Sequence, residues 1–336
     1  MKNEKWLQEI LSTVKFGDGF PKTKFHYHPI YHVGVGPDTN LDYTFGKKRK
    51  IPWKNLRKLK YFSLSAPFPS DSVIFFQPSR ERLIISSHKE RKVLKISTSK
   101  PQLVLLEGEI AELTHQNQSE FAEHSVKLLG YGANWLMTSF CSNLDSLTDM
   151  PILDLHCLII EPMTKFYRSH PLEKFLLSDW LKGVELRMKD HPHSEQIRKA
   201  VDKIRSSGEI TLLKGKLHFD LHQGNVLRDG DQVVIIDWEV SHPGLLIIDY
   251  FDFFRRYVNK EKLEVSNFVP ILKEIGFFKK FQAWMKGFDI EVPDNREEQV
   301  LLIYALERTL IYYDKWSENR LDDVRGFETK VLFELF

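Results

Sequence analysis

The chain has 336 residues, enough for one large domain or two lobes, and its 42% hydrophobic and 28% charged residues are those of an ordinary globular protein. A formal net charge of +2 supplies no global field that would argue for nucleic acid or a membrane surface, and no nucleic-acid partner is expected. The two cysteines, Cys141 and Cys157, lie in apolar surroundings without spaced partners, which argues against a disulfide framework or a zinc site.

The first residues carry an amphipathic pattern (Trp6, Leu7, Ile10, Leu11, Val14) rather than the continuous apolar stretch of a secretory signal. No apolar run is long enough to span a bilayer, so a soluble cytoplasmic protein without an integral membrane segment is expected. Residues 17–52 are rich in Gly, Pro, His and aromatic residues and read as an irregular extension with room for short strands. The basic cluster Lys47-Lys48-Arg49-Lys50 is either a solvated loop or a docking patch for an anionic substrate or surface.

From Asp71 the texture changes. Residues 73–76, 83–86 and 93–96 form three short apolar or β-branched runs separated by polar turns, which predicts strands. LVLLEGEIAELTHQ then reads as a helix with Leu106, Ile110 and Leu113 on one face, followed by strands over 126–131 and 135–140. Beyond Phe140 helices dominate. One is expected near Trp180, capped by Ser178-Asp179. Apolar stripes at Ile197, Ala200, Val201 and Ile204, and at Leu302, Leu306, Leu310 and Tyr313, mark two more.

One compact segment breaks this helical pattern: LHFDLHQGNVLRDGDQVVIIDWE, residues 217–239. It is a polar loop followed by two short hydrophobic strands, 225–227 and 233–236, joined by an Asp-Gly turn at 228–231. A hairpin brings its ends together, so Asn225 and Asp237 are expected to reach one point in space. Their oxygens suit a hard divalent cation such as Mg²⁺. Asp220 is then placed to accept a proton from an attacking hydroxyl, the division of labour that phosphoryl transfer requires.

His218-Phe219-Asp220-Leu221-His222-Gln223-Gly224-Asn225 matches the H-x-D-x-x-x-x-N loop of protein-kinase-like folds. With Val226-Leu227 and the later Ile235-Ile236-Asp237-Trp238-Glu239, it resembles the aminoglycoside phosphotransferase and choline kinase families. The resemblance covers residues from about 71 to 255 and is specific between 217 and 249. It implies an α+β, bilobal protein-kinase-like fold with a small β-rich N-terminal lobe and a larger, mainly helical C-terminal lobe. The expected division is an extension over 1–70, a nucleotide-binding lobe over 71–140 and a catalytic and substrate-binding lobe over 141–336.

By the same resemblance ATP and Mg²⁺ are the cofactors, Asp220 is the catalytic base, and Asn225 and Asp237 hold the metal. Lys95, in the strand KVLKIS, would meet the phosphates, paired to Glu109, with Glu112 in reserve. The adenine-binding crossover between lobes is expected near Ser139 and Phe140. His218 and Asp249 are read as supports of the loop. His222 fills the loop or touches a phosphate, and Glu239 is a structural hydrogen-bonding group or a peripheral metal contact.

One family element is missing: residues 77–82, Gln-Pro-Ser-Arg-Glu-Arg, contain no glycine to let backbone N–H groups approach phosphates. Ser79 and Arg80 are the alternatives there, beside a plain surface turn. The expected reaction is transfer of the γ-phosphoryl group of ATP to a hydroxyl of a small polar acceptor: a sugar, amino sugar or amino alcohol. Aromatic residues with carboxylates after Asp237, among them Asp249, Tyr250, Phe251, Asp252, Tyr304 and Glu307, form either a cage for the acceptor or core. The rival readings are a kinase acting on a polymer or lipid-linked glycan, and a non-catalytic nucleotide-binding protein of the same fold.

Overall fold

The computed structural model describes residues 22–28, 33–35, 60–65, 73–77, 82–87, 89–97, 99–139, 150, 152–188, 194–229, 231–252, 255 and 268–316. It divides into two compact units, residues 1–146 with 227–240, and residues 147–226 with 241–336. Both helices and antiparallel sheets are present, so the class is α+β as expected.

The first unit is built on an eight-stranded sheet of order β3-β1-β2-β4-β5-β6-β8-β7, all of its pairs antiparallel. Its strands are β1 (Lys22–His28), β2 (Val33–Val35), β3 (Lys60–Ser65), β4 (Val73–Gln77), β5 (Arg82–Ser87), β6 (Lys92–Ser97), β7 (Leu128–Gly132) and β8 (Trp135–Ser139). The runs expected at 73–76, 83–86 and 93–96 are β4, β5 and β6. The sheet also continues upstream of residue 70, where an irregular extension with room for short strands was expected. KTKFHYH and KYFSLS each place aromatic or apolar residues at alternate positions, and the register sets Thr23 opposite Leu64 and Phe25 opposite Phe62.

Helix α1 (Lys100–Gln116) packs against β6, β7 and β8. Its buried face differs from the predicted apolar stripe. Leu106 and Leu113 are buried as expected, but Ile110 is half-buried, while Glu109, Glu112 and Gln116 are buried. Each of these polar groups has a partner: Lys95 for Glu109, Gln116 for Glu112, and Ser125 for Gln116. Buried polar groups are tolerated only on that condition. The hairpin β11 (Val226–Asp229) and β12 (Gln232–Ile235) completes the unit. It is held by a parallel bridge from Ser125 to Ile235 and by His124 Nδ1 at 2.9 Å from the Val233 carbonyl.

The second unit has a three-stranded antiparallel sheet, β13-β10-β9, from β9 (Glu173–Leu176), β10 (Thr211–Leu217) and β13 (His242–Leu245). Its helices are α2 (Ile152–Arg168), α3 (Leu177–Met188), α4 (Ser194–Ser206), α5 (Phe268–Glu274), α6 (Phe277–Lys286) and α7 (Glu297–Trp316), with a helical turn over 247–252. Helix α4 buries the predicted stripe Ile197, Ala200, Val201 and Ile204. Helix α7 goes further than a stripe: every residue from Val300 to Ile311 is at most 8% exposed, the burial expected of a helix enclosed on all sides.

Tyr250, Phe251 and Tyr304, candidates for an acceptor cage, are core residues at 4% exposure or less. Tyr250 stacks on Trp284 and meets Phe277 and Phe281 edge-on, and Phe251 packs on Tyr304. Among the described residues no helix is long and apolar enough to cross a membrane.

His156, on α2, lies within this aromatic core, its ring centroid 4.4 Å from Tyr250 and 4.8 Å from Phe277. Burial, aided by the Lys280 ammonium, lowers its pKa to about 3. The folded state therefore refuses a proton that the unfolded chain accepts below about pH 6.5, and stability falls as the pH drops through that window. Denaturant unfolding at pH 7.5 and 5.0 should show a loss of ~2 kcal/mol from this group, absent in His156→Phe.

Candidate active site

In the first unit, strand alternation sets Lys95 on the face of β6 opposite the fully buried Leu94 and Ile96. Its ammonium donates to Glu109 Oε1 and to Asp237 Oδ1, both at 2.7 Å. Burial, the largest influence, pushes the Lys95 pKa down, but the charges and hydrogen bonds of Glu109 and Asp237 outweigh it and leave the value raised. The ammonium thus remains charged at neutral pH. Of the two glutamates weighed for this pairing, Glu109 meets Lys95, and Glu112 accepts a hydrogen bond from Gln116 one turn away.

Asp237 follows β12 in the left-handed region, with φ of 68°, a conformation that needs external support in a residue with a side chain. Support comes from both sides. Lys95 holds its carboxylate, and the next residue, Trp238, is buried with Nε1 donating to the Ile235 carbonyl and its ring edge-on to Phe121. Glu239 forms a buried ion pair with Arg82 at the start of β5. This ion pair is a structural contact of the kind weighed for Glu239. Sequence reasoning missed Arg82: its only signal was a basic residue closing a turn.

Glu109, Asp237 and Glu239 place one carboxylate oxygen each within 4.8 Å of one another. Two cations, Arg82 and Lys95, stand against these three carboxylates. A hard divalent cation with its phosphate-bearing ligand fits an oxygen-rich, net-anionic donor set of this kind. Ser139, in β8, donates its backbone N–H to the Lys127 carbonyl and accepts from the Lys127 N–H through its hydroxyl. Phe140, Ser79 and Arg80 lie outside the described residues.

In the second unit, β10 runs directly into the loop that begins at His218. Asp249, on the helical turn over 247–252, is fully buried and accepts from the backbone N–H groups of His218 (2.7 Å) and Phe219 (2.8 Å) and from the Tyr167 hydroxyl (2.9 Å). Burial, the largest influence, leaves its pKa raised despite the opposing pull of the two backbone N–H donors. Phe219 is thereby held at φ of 68°. Asp220 has its N–H 3.3 Å from His218 Nδ1 and its carbonyl 2.9 Å from the donating amide of Asn225. With that amide nitrogen engaged on the backbone, Asn225 keeps its oxygen as the ligand-capable atom.

His222 Nδ1 accepts from the Gly224 N–H at 2.9 Å, and its Nε2 lies 3.8 Å from Asp220 Oδ2. The ring leaves no room for a side chain at Gly224, where a Cβ would fall 2.7 Å from His222 Cε1. His222 is therefore built into the turn that carries Asp220.

The same unit contains a cavity of about 500 Å³, lined among others by Phe175, Trp180, Arg187, Lys214, Pro243 and Glu307. Trp180 Nε1 donates to Glu307 Oε2 at 3.1 Å. Pro243, in its lining, is the chain neighbour of His242, whose ring meets that of Phe219 at 4.1 Å. Trp180 went unnoticed as a site residue, because a single tryptophan early in an amphipathic helix carries no signal of its own.

Residues 105–266 match the model of the phosphotransferase enzyme family. A comparison with curated proteins found no match. Among solved structures, the choline kinase LicA from Streptococcus pneumoniae is similar at 15% identity and a TM-score of 0.46, over 77% of this chain and 91% of its own. A thermostable mutant of aminoglycoside phosphotransferase APH(4)-Ia is similar at 12% identity and a TM-score of 0.45, over 78% and 92%. A choline/ethanolamine kinase family protein from Mesorhizobium loti shows 16% identity and a TM-score of 0.43, over 77% and 84%.

Replacing Asp249 by Ala removes the acceptor for three buried donors. Denaturant unfolding should register a loss of about 3–5 kcal/mol, against about 1 kcal/mol for Tyr167→Phe, which removes one hydrogen bond and leaves the two backbone donors served.

Proposed function

We propose that the chain transfers the γ-phosphoryl group of ATP to a hydroxyl of a small polar acceptor, a reading supported by the match of residues 105–266 to the model of the phosphotransferase enzyme family. The observation that carries this reading is Lys95, an ammonium kept charged and fixed between Glu109 and Asp237. A cation so placed orients the phosphates of a nucleotide, and the loop at residues 218–225 supplies the complementary part, a carboxylate to receive the proton.

In the proposed reaction, Asp220 accepts the proton of the acceptor hydroxyl as its oxygen bonds to the γ-phosphorus. The bond between that phosphorus and the β–γ bridging oxygen breaks, and ADP leaves. Asn225 and Asp237 are the proposed oxygen ligands of Mg²⁺, which when bound neutralises charge on the phosphates. Ser139 and Phe140 remain the proposed neighbours of the adenine ring. The cavity beside Trp180 and Glu307 is the proposed acceptor site: an aromatic side chain and carboxylates within a volume of about 500 Å³ suit a sugar, amino sugar or amino alcohol.

The protein, incubated with Mg-ATP and a pool of sugars, aminoglycosides, choline and related amino alcohols, should yield a product heavier by one phosphoryl group, read by mass spectrometry. Asp220→Ala should lower its rate of formation by about 10²–10⁴-fold. Equal yields from both chains would exclude Asp220 as the base.

A further inference from the structure

Phe219 is a bulky residue in a left-handed conformation, immediately before the proposed base. That conformation costs an L-residue about 1–2 kcal/mol and survives only where neighbours over-determine it. The backbone bond to Asp249 is one determinant. The ring is a second: it is held edge-on by His242 at 4.1 Å, and the guanidinium of Arg308 lies 4.6 Å from its centroid.

Arg308 is itself fixed. It is 3% exposed on the enclosed helix α7, and its Nη2 pairs with Asp252 Oδ2 at 3.2 Å. The Tyr304 hydroxyl, one turn earlier on the same helix, donates to Asp252 Oδ1 at 2.8 Å, and Arg255 approaches that oxygen at 3.6 Å. Glu307, the residue before Arg308, is the carboxylate that holds Trp180 in the cavity wall. Two successive residues of one rigid helix thus engage the cavity and the loop carrying Asp220.

We propose that Arg308 is a positioning residue: its cation, seated on the Phe219 ring, sets the orientation of Asp220. The role rests on the phosphotransfer reading above. It predicts that loss of the cation lowers turnover without weakening nucleotide binding, because Arg308 acts through Phe219 and touches no phosphate.

The test uses water as acceptor, so no acceptor need be known. The water oxygen bonds to the γ-phosphorus, the bond to the β–γ bridging oxygen breaks, the proton passes to Asp220, and ADP and inorganic phosphate form. Release of ADP from saturating Mg-ATP is measured for the wild-type chain, Asp220→Ala, Arg308→Met, Arg308→Lys and Phe219→Leu, each with its melting temperature. Arg308→Met should lower kcat about 10- to 100-fold, the cost of a misplaced catalytic group, with KM for Mg-ATP unchanged. Arg308→Lys, which keeps a cation, should recover most of that loss. Phe219→Leu keeps the Arg308–Asp252 pair and should show the same split, and it decides the matter if Arg308→Met fails to fold. Full kcat in folded Arg308→Met or in Phe219→Leu, or no recovery with Lys, overturns the positioning role alone. Hydrolysis by the wild-type chain no faster than by Asp220→Ala overturns the phosphotransfer reading, and this inference with it.

Discussion

A lysine ammonium in a strand, held between two carboxylates from distant parts of the chain, is the constraint on which the first unit depends. Lys95 is separated from Glu109 by 14 residues and from Asp237 by 142. Each partner alone would be an expensive buried charge. Together they require β6, α1 and the segment after β12 to meet at one place, and they require α1 to bury a glutamate where its sequence offers isoleucine one position later. The Arg82–Glu239 pair repeats the arrangement a short distance along the same segment. Ion pairs of this kind contribute little net stability, but they penalise any packing that separates them, and so they select a geometry.

The second unit solves a related problem with one carboxylate. The loop holding Asp220 cannot satisfy its own backbone, because it is neither helix nor strand. Asp249 collects two of its N–H groups, while His218 and Asn225 take the N–H and carbonyl of Asp220. The cost is a desolvated carboxylate whose pKa burial leaves raised, offset in part by the N–H groups that donate to it. A second buried acid, Asp252, anchors α7 through Tyr304 and Arg308. The helix that fills the core is thus also the one that reaches the loop.

Much of this was legible in sequence. The H-x-D-x-x-x-x-N spacing, the Asp-Gly turn and the later Ile-Ile-Asp-Trp-Glu are local signals, and a local signal survives without knowledge of the fold. Lys95 was legible because a charged residue flanked by Leu94 and Ile96 in a strand asks for a partner. The partner itself was not, since Glu109 and Glu112 lie on the same buried face and only three-dimensional packing decides which one Lys95 reaches. Arg82, Trp180 and Arg308 were invisible for the same reason: each matters through one contact made across a long sequence separation. The strands before residue 70 were read only as short elements of an irregular extension, because they are brief and Gly and Pro, which ordinarily mark loops, are frequent around them. Of the aromatic residues after Asp237, Tyr250, Phe251 and Tyr304 lie in the core, as aromatic residues at helical spacing ordinarily do.

The proposed binding of Mg-ATP rests on Asp237 held by Lys95. Calorimetric titration with ATP tests it most directly, run with Mg²⁺, with excess chelator, and with Asp237→Asn in the presence of Mg²⁺. Binding in the first case, weakened about tenfold or more in each of the other two, is the predicted result. No binding by the wild-type chain, or binding indifferent to both the metal and Asp237, would contradict the account.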